Sequence, residues 1–375
     1  MANIITTSIL VILFSLSAAE ATTKLYSVNG HDGMSASPLV AIDGICKSMV
    51  ETQGYVCEEH TVTTQDGYIL SLQRIPVGHS GKKPDKPPVL LQHGLLMDAI
   101  TWLMNSPDES LAFILADNGF DVWLANTRGT NYSRGHISLS PSDPAYWNWS
   151  WDELVTYDLP ASFQYVHNQT GQKLHYVGHS LGTLIAFAAF SQEKLLNMLR
   201  SAALLCPIAY MGQMPSPLAR SAAETFIAED LYWLGVNEFA PRGEAVAKLL
   251  EVICSKPGNN CTDLITALTV IRGGTIAMYD YGSEDENNKH YKRSTPPVYD
   301  MSSIPNDLPL FLSYGGQDML SDVNDVQTLL DSLVDHDADK LVVQYRDDYA
   351  HADFVMAVNA KQVVYDPLMA FFKLQ

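Results

Sequence analysis

A series of short apolar runs constrains this chain more than any other feature. Val89-Leu-Leu-Gln92, Asp121-Val-Trp-Leu124, Leu174-His-Tyr-Val177, Ala203-Leu-Leu-Cys206, Leu310-Phe-Leu-Ser-Tyr314 and Leu341-Val-Val-Gln-Tyr345 are too short for helices. With no alternating polar face, they read as strands buried on both sides. Stretches with helical spacing lie between them, among them Ser110 to Asn118, Thr183 to Phe190 and Val323 to Leu333. Doubly buried strands separated by helices predict an α/β fold whose central sheet is mostly parallel and flanked by helices. In such sheets ligands bind beyond the carboxyl ends of the strands. Upstream, Glu59 to Thr64 and Tyr68 to Ile75 flank Gln65-Asp66-Gly67 and predict an antiparallel hairpin. From about 210 to 307 the rhythm fails, and the return to strand is delayed far beyond what one crossover needs. The expected organisation is therefore a core over 22–209, a helical cap or lid insertion over 210–307, and the rest of the core over 308–375.

Composition bounds the partners. The 375 residues carry a formal net charge of −19, with no basic cluster longer than Gly81-Lys-Lys-Pro84, so nucleic acid is excluded as a partner. Ile4 to Ala19 is apolar or small and Ala19-Glu-Ala21 has a small-x-small form, which predicts a signal peptide over 1–21, with cleavage after Ala21 or Ala19. That apolar core falls short of a membrane span, and no later stretch reaches one. The predicted destination is extracellular, or a vacuole or lysosome reached through the secretory pathway. Asn131, Asn148, Asn168 and Asn260 open glycosylation sequons. Cys46 and Cys57 are close in sequence, as are Cys254 and Cys261, and two local disulfides are expected. Cys206 lies within an apolar run and reads as a buried free thiol, not as a nucleophile.

Gly178-His-Ser-Leu-Gly182 falls directly between a predicted strand and a predicted helix. That is where a nucleophilic serine needs a sharp, strained turn, with glycines on either side because strand and helix draw together there. Ser180 is the candidate nucleophile, and the N–H of Leu181, at the start of the helix, a candidate oxyanion donor. In this fold class an acid and then a histidine follow the serine along the chain. His351 lies just beyond the last strand and is the best-placed base. His290, in the polar stretch Glu284 to His290, reads as a solvated loop, and His336 as part of a turn. For the acid, Asp318 follows the strand ending at Tyr314, with Asp322 and Asp325 as competitors better suited to a helix N-terminus.

Taken together, His93-Gly-Leu-Leu96, Gly178-His-Ser-Leu-Gly-Thr183, Tyr314-Gly-Gly-Gln-Asp318, Leu320-Ser-Asp322 and Tyr349-Ala-His-Ala-Asp-Phe354 resemble the acid lipase family of α/β-hydrolases. Gln65 to Leu70, Leu115 to Leu124 and Tyr157-Asp-Leu-Pro160 extend the resemblance over nearly the whole mature chain, and Leu181 with the Cys46 and Cys57 pair resembles plant members most. The resemblance implies Ser180 as nucleophile, Asp318 as acid, His351 as base, and the N–H of Leu95 as second oxyanion donor. His93 would hold the loop that carries Leu95. No metal or organic cofactor is implied, and the substrate would be a lipid or other acyl ester met during transient contact with a lipid interface. The segment from Cys261 to Tyr279 is shorter than in relatives, which leaves substrate preference open. An acyltransferase with the same triad, or a non-catalytic ligand-binding protein on the same fold, are the alternatives.

Overall fold

The computed structural model describes residues 44–81, 83–210, 276–281 and 283–375. The expected signal peptide, most of the expected insertion, the expected Cys254 and Cys261 pair and Asn260 lie outside the described residues. Nine strands form one sheet among the described residues: β1 (Glu58–Thr63), β2 (Tyr68–Ile75), β3 (Pro88–Gln92), β4 (Asp121–Ala125), β5 (Gly135–His136), β6 (Leu174–His179), β7 (Leu199–Leu205), β8 (Leu310–Gly315) and β9 (Leu341–Arg346). Their order is β1-β2-β4-β3-β6-β7-β8-β9, with β5 paired to β2. From β4 through β9 every pairing is parallel, while β1 and β2 form the expected antiparallel hairpin.

The two-residue period of each central strand divides its side chains between two cores. Leu90, Trp123, Tyr176, Ala202, Leu204, Leu310 and Leu312 enter one, which is closed by the helices Leu159–Thr170 and Leu181–Ser191. Val89, Leu91, Val122, Leu124, Val177, Ala203, Leu205 and Phe311 enter the other, closed by Leu111–Asp117 and Asp366–Phe372. Burial on both faces explains why these runs are apolar at most positions and lack a polar face.

Two expectations are corrected. β9 is an edge strand with Val342, Val343 and Tyr345 exposed, so its apolar residues do not signal burial on both faces. His290 belongs to a helix, Glu284–Tyr291, and not to a loop. Ser283 caps that helix by accepting from the N–H of Glu286, while acidic residues fill its first turn and Lys289 and His290 its last. This part of the 210–307 stretch packs against the core through Asp152. Its buried carboxylate accepts from the N–H of Tyr279 and from the hydroxyls of Tyr291 and Tyr299. Cys46 and Cys57 are joined by a disulfide, and Cys206 is a buried free thiol. Asn131, Asn148 and Asn168 are all exposed.

Candidate active site

β6 ends at His179, and the helix Leu181–Ser191 begins one residue after Ser180. Ser180 makes the turn at φ 55° and ψ −116°, a region costly for any residue with a side chain. Its N–H donates to the carbonyl of Leu205 on β7, which holds the turn in that conformation. The flanking glycines are dictated by space. A Cβ at Gly178 would lie 2.7 Å from the carbonyl oxygen of Gly182, and one at Gly182 would lie 2.6 Å from that of Gln92 on β3. Strand and helix therefore meet at backbone contact. Among the described residues, the Ser180 hydroxyl and the N–H groups of Leu181 and Leu95 have no hydrogen-bond partner.

The β3 loop runs beside this turn, since a Cβ on Gly94 would lie 3.1 Å from that of Ser180. His93 holds the loop from beneath: its Nδ1 donates to the carbonyl of Gly94 at 2.7 Å and its Nε2 accepts from the N–H of Thr127 at 3.2 Å. Burial depresses its proton affinity, so both roles belong to the neutral ring. Leu95 and Leu96 are partly exposed at the same edge of the sheet.

The loops after β8 and β9 bring the other two candidates together. His351 Nδ1 donates to Asp318, at 2.9 Å from Oδ2 and 3.1 Å from Oδ1. Asp318 also accepts from the N–H groups of Leu320 and Ser321. Burial alone would raise its pKa, but His351 and these two amides outweigh that and hold it below the usual carboxylate range. The competing acids go elsewhere. Asp322 caps the helix Val323–Ser332 by accepting from the N–H of Asn324, and Asp325 is buried in its first turn. His336 is also buried, donating from Nε2 to the carbonyl of Leu308.

Two further side chains enter the site that the residue types alone did not assign to it. His179 donates from Nε2 to the backbone carbonyl of His351 at 3.0 Å, and Cys206 directs its thiol to the same oxygen at 3.3 Å. Ring nitrogens of His179 and His351 and the Cys206 sulfur lie within 4.8 Å of one another, the one group among the described residues with the donors for a metal ion. Their hydrogen bonds to one carbonyl and to Asp318 already engage these side chains.

The sequence compares with known proteins over most of its length. Triacylglycerol lipase 2 of Arabidopsis thaliana is 48% identical over 371 residues, covering 89% of each chain. The chain belongs to the acid lipase family of α/β-hydrolases. Gastric triacylglycerol lipase of Homo sapiens, 33% identical over 400 residues, covers 96% of this acid lipase family member and 98% of its own length. Residues 46–106 match the partial alpha/beta-hydrolase lipase region and residues 87–248 the alpha/beta hydrolase fold. A solved esterase of Pyrococcus furiosus shares the fold, with a TM-score of 0.51 at 15% identity over 92% of this chain and 99% of that one. Membership of the acid lipase family makes the chain a lipase-type ester hydrolase. No helix among its described residues is long and apolar enough to cross a membrane.

Proposed function

We propose that this chain hydrolyses acyl esters of lipids, triacylglycerols foremost, through an acyl-serine intermediate formed on Ser180. The observations that support this reading are the strained turn at Ser180 and a His351 ring oriented by Asp318 and packed against the ring of His179, the residue before Ser180. His351 Nε2 takes the serine proton as the hydroxyl attacks the ester carbonyl, while Asp318 fixes the tautomer and stabilises the imidazolium. The N–H groups of Leu95 and Leu181 receive the oxyanion, each worth about 2.7 to 4 kcal/mol in comparable sites. His351 returns the proton to the departing alcohol. Water, deprotonated by the same ring, then releases the fatty acid. The working location would be outside the cell or in an acidic compartment of the secretory pathway.

The test uses the purified chain with a fluorophosphonate probe and a chain-length series of esters, with and without an acceptor alcohol. Expected are labelling at Ser180, release of free acid, and activity that grows with acyl length, since each buried methylene adds roughly 0.8 kcal/mol. Preference for acetyl esters would overturn the reading as a lipid ester hydrolase. Transfer to alcohol in excess of hydrolysis would convert the reading to an acyltransferase, and an unlabelled Ser180 would end it.

A further inference from the structure

His351 is restrained at two ends. Asp318 holds its ring, while its backbone carbonyl is the meeting point of two buried donors, His179 Nε2–H and the Cys206 thiol. His179 is the last residue of β6, directly before Ser180, and Cys206 follows the last residue of β7. The loop that carries His351 is thus tied to the same two strand ends that support the serine turn.

We propose that His179 and Cys206 are positioning residues for His351, holding its carbonyl so that its ring stays in register between Asp318 and Ser180. This rests on the reading of Ser180, Asp318 and His351 as a catalytic triad. The state of each donor fits the role. His179 is 4% exposed, and its Nδ1 is buried without a partner among the described residues. A ring nitrogen left unpaired at such depth is costly, so the ring's setting is fixed by what its other nitrogen does. The His179 ring also packs against that of His351, with centroids 4.9 Å apart. A neighbour so close to a ring that must accept a proton has to stay neutral itself. Burial, with His351 adding to it, pushes His179 down to about 3, and its proton therefore remains on Nε2 at any working pH. Cys206 is fully buried, and burial pushes its thiol up, so it keeps the S–H it donates and is no nucleophile.

The test pairs substitutions that keep or remove each donor: Cys206→Ser against Cys206→Ala, and His179→Gln against His179→Ala, with Cys206→Val as a volume-conserving control. The readouts are kcat and KM on a dissolved ester, the rate of fluorophosphonate labelling at Ser180, and thermal unfolding. Loss of a donor should lower kcat and labelling about ten- to a hundredfold, the scale of a misplaced catalytic group, with KM within about twofold. Cys206→Ser and His179→Gln should recover most of that loss. Folded Ala or Val variants with unchanged kcat, or donor-keeping variants as slow as the donor-less ones, would overturn the proposal. A wild-type chain that neither labels nor turns over ester would instead defeat the triad reading on which it stands, a result separable from either of these.

Discussion

Acidification sets the folded and unfolded states in competition for a proton at His175. This residue lies in β6, 1% exposed, with its ring stacked on Phe372 at 4.2 Å and its Nδ1 2.7 Å from the Ser201 hydroxyl. Burial, with a smaller effect from Arg200, pushes it from an ordinary 6.5 down to about 3. Between those values the unfolded chain binds the proton and the folded chain does not. Stability from this group is therefore complete above about 6.5 and is lost as pH falls toward 3. At about 1.36 kcal/mol per unit, moving from about pH 7 to about pH 5 should cost about 2 kcal/mol at this one position. His179 contributes with the same sign, whereas Asp158, pushed by burial up to about 6, contributes with the opposite one. The diagnostic quantity is thus a difference between proteins and not the total slope. Urea unfolding followed by tryptophan fluorescence at both pH values, on the wild type and on His175→Gln, isolates it. The variant should lose about 2 kcal/mol less on acidification. Equal acid losses in the two proteins would refute the reasoning, because they would mean that the buried ring is protonated within the fold.

Gly182→Ala places a Cβ 2.6 Å from the Gln92 carbonyl oxygen, so β3 or the helix must shift; it should lose about 1 to 3 kcal/mol in urea unfolding and most of its turnover. Asp318→Asn should lower kcat by about 10⁴, whereas Asp322→Asn, which alters only a helix cap, should change it little in the same ester assay. The double variant Cys46→Ser with Cys57→Ser opens a loop of sequence separation 11 and should lower stability by about 3 kcal/mol. Non-reducing peptide mapping should find Cys254 joined to Cys261, with Cys206 alkylated only after denaturation.

The central sheet was legible because doubly buried strands must be largely apolar, and in Val89 to Gln92 and Leu174 to Val177 only Gln92 and His175 depart from that rule, both of them buried. β9 obeys it in composition but not in place: Val342 and Val343 carry strand propensity at an exposed edge, where the apolar run means something else. His290 was misread because the charges of Glu284 to Lys289 suit a loop as well as an exposed helix, and the deciding cap, Ser283, lies outside the charged run. At the site, the glycines around Ser180 gave its turn away, since their spacing reports a local collision. The ties from His179 and Cys206 left no such trace. They join residues separated by 172 and 145 positions, and a histidine inside the serine motif or a cysteine at a strand end has an adequate local explanation already.

Hydrogen-bonded to β8 alone among the described strands, β9 leads directly into the loop of His351. Ser180, by contrast, follows β6, which is paired on both sides by β3 and β7. Under the roles proposed, the catalytic parts therefore differ in permanence. Opening at an edge costs less free energy than unfolding the centre of a sheet, so once the ties from His179 and Cys206 give way on heating, the proton acceptor would part from its serine while β3, β4, β6 and β7 remained paired. The chain would pass first through a dormant population, spectroscopically native and unable to turn over ester, which regains activity on cooling.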